Sequence, residues 1–306
     1  MGQGKKRLMP LVNKLLENIH FGTELEKLAE GTRFDVERLA KILNAPNLHM
    51  KHDRIVQMCM NFARRRNLGR FGGQITAGDM AFITAFMSAI KPGLMLEFGV
   101  CSGQSSAAIL VVAHRLGLYE ADVPFLHSFD IVETFNGHEK TVGQVVERNF
   151  PERLSHWSLF TRQTSESLLM ADHPTRIALE GQESVLAFID AEHRHPEPLV
   201  DILILNKILP SGSWILLQDI RLMERWLANS IERGVVCPAP ERGVEHVMTH
   251  WPGRKVTGQG SSYNMGAIST GANMEDLRIF VDSCLSYPIE VDDGEERKQF
   301  IRSLIE

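Results

Sequence analysis

The chain has 306 residues, 43% of them hydrophobic and 23% charged, with a formal net charge of −5. That composition suits a globular protein with a sizeable core and argues against a nucleic-acid partner, because phosphate contacts want a basic face. The four cysteines are scattered without a C-x-x-C pair, so neither a zinc site nor a disulfide framework is indicated, and no apolar run approaches the roughly 18 residues of a membrane span. The cluster Lys5-Lys6-Arg7 is followed by an apolar stretch too broken for a secretory signal, so the expectation is a cytoplasmic protein with no membrane partner.

Residues 1–75 read as a helical extension. Apolar residues fall at helical spacing from Leu8 to Ala29, with an interruption near Phe21-Gly22, and two more helices are expected at Phe34–Leu43 and Arg54–Arg66. The run Arg64-Arg65-Arg66 reads as the cationic end of a helix rather than an RNA contact. A glycine-rich loop, Asn67 to Gln74, precedes the core and serves as either a lid or a linker. Thr76 and Asp79 resemble a capping box that opens a helix to about Ile90.

From Leu94 short apolar runs alternate with helical stretches, the pattern of an α/β, doubly wound, Rossmann-like and mostly parallel sheet. Strands are expected at Leu94–Val100, Pro124–Asp130, Trp157–Thr161, Ser184–Asp190 and Ser213–Asp219. Helices fall between them, at Gln104–Leu116, His138–Asn149, Glu166–Glu180 and Pro196–Leu209, with another over Arg221–Arg233. The sheet is expected to end on the pair Val235–Cys237 and Tyr263–Ser269. A helical tail over 274–287 and 293–305 follows. The resulting division is 1–75 extension, 76–271 core domain, and 272–306 tail packed on the core.

The chemistry centres on Leu94 to Ser106, a strand, a sharp glycine turn and a helix start, which brings a ligand against backbone N–H groups and a positive helix end. The dinucleotide fingerprint fails here, since Cys101 and Gln104 stand where glycines are needed, and the phosphate-binding loop fails for want of a lysine. What remains is acid-x-Gly-x-x-x-Gly, formed by Glu97, Gly99 and Gly103. In an open parallel sheet ligands bind beyond the carboxyl ends of the strands. Those ends carry Glu97, Asp130, Asp190 and Asp219, and so many acids at strand ends are costly unless they are used.

The first motif resembles that of class I S-adenosylmethionine-dependent methyltransferases. The segments Val185 to His193 and Leu209 to Asp219 resemble the macrocin, cephalosporin-hydroxylase-like and catechol-type small-molecule O-methyltransferases, in which Ile-Asp-x-x-His ends the fourth strand and a Pro-Gly turn leads to a fifth ending in Asp. This resemblance spans residues 94 to about 220. It implies that Glu97, Gly99, Gly103, Ser105 and Asp130 hold the cofactor, with Glu97 orienting its ammonium and Asp130 its ribose. His193 would be the general base, with Asp190 beside it, histidine being the residue type that titrates near neutrality. Asp190 and Asp219 would bind a divalent cation such as Mg²⁺. Ile220 stands where the catechol type has an asparagine ligand, and the bland reading of His193 is a helix cap. Arg162 to Ser167, where adenine is usually contacted, lacks a clearly placed acid and stays outside the predicted site. The nucleic-acid signature Asn/Asp-Pro-Pro-aromatic is replaced by Ala191-Glu192-His193.

Downstream, 245–251 and 258–264 are either walls of a substrate pocket, shaped by His250 and Trp251, or a loop between the last strands. The expectation is thus S-adenosylmethionine-dependent O-methylation of a small hydroxylated acceptor, a sugar or secondary metabolite, by a chain whose homo-oligomeric state is open. The alternatives are an NAD(P)-dependent oxidoreductase and a non-catalytic ligand-binding member of the fold.

Overall fold

Five apolar runs become the parallel strands β1 (Leu94–Phe98), β2 (Leu126–Asp130), β3 (Trp157–Thr161), β4 (Val185–Ile189) and β5 (Trp214–Leu217) of a computed structural model. The structure describes residues 3–71, 74–119, 123–135, 140–234 and 241–306. Two further strands, β6 (Lys255–Thr257) and β7 (Gly266–Ser269), complete one seven-stranded sheet in the order β3-β2-β1-β4-β5-β7-β6. β7 runs antiparallel to both β5 and β6. The strand order reverses between β1 and β4, and that reversal opens a crevice at their carboxyl ends.

Both faces of the sheet are covered, which is why its central strands read as unbroken apolar runs. Leu94, Leu96 and Phe98 pack on one face with α7 (Glu197–Ile208), α9 (Gly243–His250), α10 (Met274–Leu285) and α11 (Gly294–Ser303). Met95 packs on the other with α2 (Leu48–Asn67), α3 (Ala77–Ile90) and α4 (Gln104–Leu116). The alternation follows from the two-residue period of a strand, and it assigns Glu97 to the Met95 face. Across β1, β2 and β3, Phe98, Phe129 and Phe160 sit in register and stack at 4.9 and 5.0 Å between ring centroids, a cross-strand ladder.

The N-terminal region differs from expectation. α1 runs unbroken from Gln3 to Ile42, through the anticipated interruption at Gly22. A single glycine costs a helix only about 1 kcal/mol, which the packing of Leu25, Val36 and Leu39 offsets. Val36, Leu39, Ile55 and Phe62 share one apolar cluster with Met95, Leu126 and Phe188, so the extension is continuous with the core of the sheet. Buried Asp35 on α1 accepts hydrogen bonds from Ser262 Oγ at 2.6 Å and Gln259 N at 3.2 Å, and Arg38 donates to the Thr257 carbonyl.

Other departures have local causes. The helix expected over Glu166–Glu180 is a 3₁₀ turn, Ser165–Leu169, followed by α6 (Pro174–Leu179). Pro174 forces its predecessor into extended backbone, and His173 there caps the new helix. The helix expected from His138 shortens to α5 (Gln144–Asn149), preceded by a hairpin of Thr134–Phe135 with Lys140–Thr141. The helix expected over Arg221–Arg233 is α8 (Leu222–Arg233). Val235–Cys237 lie outside the described residues; the strand that pairs with β7 on its outer side is β6. The stretch read as a loop or pocket wall at 245–251 is α9, with Trp251 buried against Phe280 and His250 hydrogen-bonded to the Tyr287 hydroxyl. Those two side chains therefore belong to the core beneath the tail. The capping box is as expected: Thr76 Oγ1 accepts from Asp79 N, and Asp79 Oδ2 accepts from Thr76 N. Among the described residues no helix is long and apolar enough to cross a membrane.

Two measurements test this packing. Ser262→Ala removes a hydroxyl donor from buried Asp35 and should cost about 1–3 kcal/mol in urea unfolding; an unchanged midpoint would show that the tether carries no weight. Burial pushes His127, His195 and His246 down to about 4. Each folded value lies below the ordinary 6.5, so the unfolded chain takes up the proton first. Stability should be fully present above pH 6.5 and fall toward pH 4, by up to about 3 kcal/mol per histidine. His195→Leu should remove roughly one third of that slope; a slope that stays the same would assign the acid lability elsewhere.

Candidate active site

The crevice at the strand ends is a cleft of about 1360 Å³, and the glycine turn after β1 forms its floor. Its residues Gly99, Cys101 and Gly103 all have positive φ, at 87°, 47° and 82°. A Cβ on Gly99 would lie 1.9 Å from the Asp190 carbonyl oxygen. Gly99 N donates to Phe129 O at 2.9 Å and Asp190 N to Phe98 O at 2.8 Å, which ties the ends of β2, β1 and β4 together. Gly103 abuts Gly143, whose Cα would be 2.8 Å from an added Cβ. The two motif glycines are therefore demanded by backbone packing within the protein as well as by approach to a ligand.

Glu97, expected to orient the ammonium of a cofactor, is fully buried. Its carboxylate accepts hydroxyl hydrogen bonds from Ser105 at 2.5 Å, Ser106 at 2.6 Å and Ser128 at 2.6 Å, and Trp157 Nε1 donates in turn to Ser128 at 2.9 Å. Strand parity aims it at α4. Burial raises its pKa, and the three hydroxyls oppose that rise. Ser105, by contrast, does line the cleft. Whatever Glu97 does for a ligand it does through the Ser105 hydroxyl.

Asp130 stands at the cleft where the sequence placed it. One oxygen accepts from Val100 N and Cys101 N, both at 3.0 Å, and the other from Val132 N at 3.1 Å. It thus clasps the glycine turn to the end of β2. Gln104 braces the same turn from behind, its amide bonding both N and O of Ile75 at 3.1 Å.

At the other end Asp190, His193 and Asp219 come together, with potential ligand atoms all within 4.8 Å of one another. His193 Nε2 lies 3.3 Å from Asp219 Oδ2 and 3.9 Å from Asp190 Oδ1. The helix-cap reading of His193 fails, because α7 begins at Glu197 behind Pro196. Ile220 is buried and apolar, but Asn264, from the turn before β7, reaches Asp219 and donates to its carboxylate. Sequence spacing had no means of finding this asparagine, 45 positions away. Asp219 itself is held at φ 62°, a left-handed conformation that aspartate adopts only at a cost.

The electrostatics of this end are lopsided. Burial pushes the Asp190 carboxyl up to about 8, and the neighbouring charges of Asp219, Asp79 and Glu97 push the same way. Such a site favours a cation. The donor set fits a hard divalent ion: two carboxylates, with Asn264 beside Asp219 and its Oδ1 lacking a hydrogen-bond partner among the described residues.

A seven-stranded sheet in this order, with a glycine turn after β1 and acids closing β2 and β4, is a doubly wound, Rossmann-like arrangement. Residues 96–220 match a family model described as a methyltransferase domain, so the chain carries a methyltransferase domain. Among solved structures it is similar to the O-methyltransferase TomG of Streptomyces achromogenes, involved in tomaymycin synthesis and solved with SAM (13% identity, 70% of this chain and 90% of that one, TM-score 0.44). It is also similar to an O-methyltransferase of Bacillus cereus solved with SAH (14% identity, 70% and 91%, TM-score 0.44). A third similar structure is a form of CmcI with Mg and SAM (10% identity, 63% and 72%, TM-score 0.39). No curated protein matches the chain. An oxidoreductase finds no support in these comparisons.

Gly99→Ala and Gly117→Ala separate packing from backbone strain. Both glycines have positive φ, but nothing lies within 4 Å of a Cβ on Gly117. Gly117→Ala should cost about 1–2 kcal/mol in chemical denaturation, whereas Gly99→Ala should lose more than about 4 kcal/mol or fail to fold. Equal costs would mean that the contact with Asp190 relaxes freely.

Proposed function

We propose that this methyltransferase uses S-adenosylmethionine to methylate a hydroxyl oxygen of a small molecule. The observation that carries the reading is the Asp190–His193–Asp219 cluster, whose Asp190 and His193 line the same cleft as the glycine turn. The cofactor would rest on the backbone of the turn, with Ser105, braced by Glu97, accepting from its ammonium and Asp130 accepting from its ribose hydroxyls. It supplies an activated methyl on a positively charged sulfonium, and the acids around Asp190 favour that charge. The cleft exceeds the roughly 300–1,000 Å³ of a single-ligand pocket, which leaves room for an acceptor beside the cofactor.

His193 Nε2 takes the proton from the acceptor hydroxyl, and Asp219 stabilises the imidazolium that forms. Asp190 and Asp219 would hold Mg²⁺, a Lewis acid that makes a coordinated hydroxyl easier to ionise. The remaining work is alignment and exclusion of water. The net charge of −5 and the acidic residues lining the cleft, Glu192, Glu241, Asp292 and Asp293 among them, favour a small molecule over a nucleic acid. The free cysteines Cys59, Cys101 and Cys284 accord with a reducing cytoplasm.

Calorimetric titration with S-adenosylhomocysteine tests the cofactor. Wild type should bind in the micromolar range, Asp130→Ala should bind about 10–100-fold more weakly, and His193→Gln should bind as wild type does while losing turnover. Titrating Mg²⁺ into the cofactor-loaded protein should give heat that Asp190→Asn with Asp219→Asn abolishes. No binding of S-adenosylhomocysteine in either the presence or absence of Mg²⁺ would overturn the reading.

A further inference from the structure

We propose that Lys140 and Arg148 form an anion site at the mouth of the cleft, and that the acceptor carries a phosphate or carboxylate held there. The proposal rests on the methyltransferase reading above and narrows its acceptor to anionic hydroxylated molecules.

The two walls of the cleft belong to opposite faces of the sheet. Val145 and Phe150, in and after α5, pack in the cluster of Met95, whereas Leu199 of α7 and Ile301 of α11 pack in the cluster of Phe98. On the Phe98 side the charges answer one another: Arg194 donates to Glu192 at 2.7 Å, and Arg297 holds both Glu166 and Glu197. On the Met95 side Lys140 and Arg148 line the cleft, exposed, with no ion-pair partner among the described residues. The backbone that carries them is fixed. Gly143 N donates to Cys101 O and Val145 N to Ser102 O, both at 2.9 Å, which seats α5 on the glycine turn. Burial raises the Cys101 pKa, the charges of Asp130 and Asp190 add to the rise, and that of Lys140 opposes it. The lysine and the acceptor end thus act on the same turn residue.

Behind the pair lies a belt of cations. Asn149, next to Arg148, donates from Nδ2 to Arg70 O at 3.2 Å. Burial lowers the Arg65 pKa, and the charges of Arg115 and Arg70 lower it further. Arg54 donates to the Arg115 carbonyl, and burial lowers Lys51, helped by Lys91 and Arg54. The acid that intervenes, Glu152, is engaged by Arg153 at 3.5 Å. In a chain of net charge −5, like charges gathered this way set a positive field on one side of the molecule, and that field draws an anion toward the cleft mouth. A guanidinium meets a phosphate or carboxylate with two parallel N–H groups, and an ammonium adds a point charge. The cleft is then divided by charge: its Asp190 end favours cations and its Lys140–Arg148 lip favours anions. An acceptor with its anion on the lip has its hydroxyl free to lie toward His193.

The cofactor's own carboxylate is the other anion of the same chemistry, and the experiment separates the two. Pyrophosphate is titrated calorimetrically into protein saturated with S-adenosylhomocysteine, in metal-free buffer so that no cation at Asp190 carries it. Wild type should bind it with an affinity that falls as salt rises. Lys140→Gln with Arg148→Gln should bind it about tenfold or more weakly, and Lys140→Arg with Arg148→Lys, which keep both charges, should recover most of the affinity. Arg54→Gln, in the belt but outside the cleft lining, should stay within about twofold of wild type. The neutral double variant should bind S-adenosylhomocysteine as wild type does. Thermal unfolding of each variant reports whether it folds, and the titration of wild type needs no variant at all. No binding of pyrophosphate by wild type would overturn the anion site. So would a loss in Arg54→Gln equal to that in the double variant, since a diffuse field would then account for the binding. Weaker binding of S-adenosylhomocysteine by the double variant, with its decarboxylated analogue bound unchanged, would assign the two cations to the cofactor and overturn the proposal as well. Failure of wild type to bind S-adenosylhomocysteine at all would overturn the cofactor reading and this proposal with it.

Discussion

The structure depends on a contact that only a glycine permits. At Gly99 the backbone of the turn comes so close to the Asp190 carbonyl that a methyl group would overlap it. That contact fixes the end of β1 against the end of β4, and hydrogen bonds to Phe98 and Phe129 extend the tie to β2. As a result the glycine turn, Asp130 and Asp190 share one rim, although Asp130 and Asp190 lie 30 and 90 residues along the chain from Val100. The three parts of the proposed chemistry, grip on the cofactor, grip on the ribose and action on the acceptor, are adjacent because of this one steric allowance.

Acids close to that rim are treated in two opposite ways. Glu97 is buried deepest, and the protein satisfies it with three serine hydroxyls and a tryptophan behind one of them. Asp190 has no comparable set of donors among the described residues, only the approach of His193 at 3.9 Å, and its neighbours Asp219, Asp79 and Glu97 repel its charge. An unpaired carboxylate in such a field opposes folding. Its retention makes sense where a cation completes the site. A sulfonium and a divalent metal are both cations, so under the proposed function one arrangement of charge would serve both ends of the transfer.

Much of this was legible in the chain. Short apolar runs, four of them ending at or near an acid, located the five parallel strands to within two or three residues, because strand burial and strand-end chemistry are both local signals. Asp130, Asp190 and Asp219 were singled out by the same means, and His193 by the resemblance of the segment that follows the fourth strand. What stayed hidden was of two kinds. Some signals were present but unweighed: Leu94, Leu96 and Phe98 alternate with Met95 and Glu97, which already points Glu97 away from the Phe98 side, and Pro174 already breaks a helix. Others were not local at all. Asn264 and Asp35 enter only when β7 folds beside β5 and α1 lies across the turn that precedes β7, and no spacing rule links such positions.

That second kind changes what the N-terminal helix is. Asp35 holds Ser262 and Gln259, Arg38 holds the Thr257 carbonyl, and the same short segment ends in Asn264, the donor to Asp219. Asp219 sits in a left-handed conformation, which surrounding structure must sustain. The path from α1 to the acceptor end is thus a few hydrogen bonds long and runs through buried groups, which transmit displacement because they have no slack to absorb it. A helix that reads in the sequence as an extension ahead of the sheet is, in its described half, part of the brace behind Asp219.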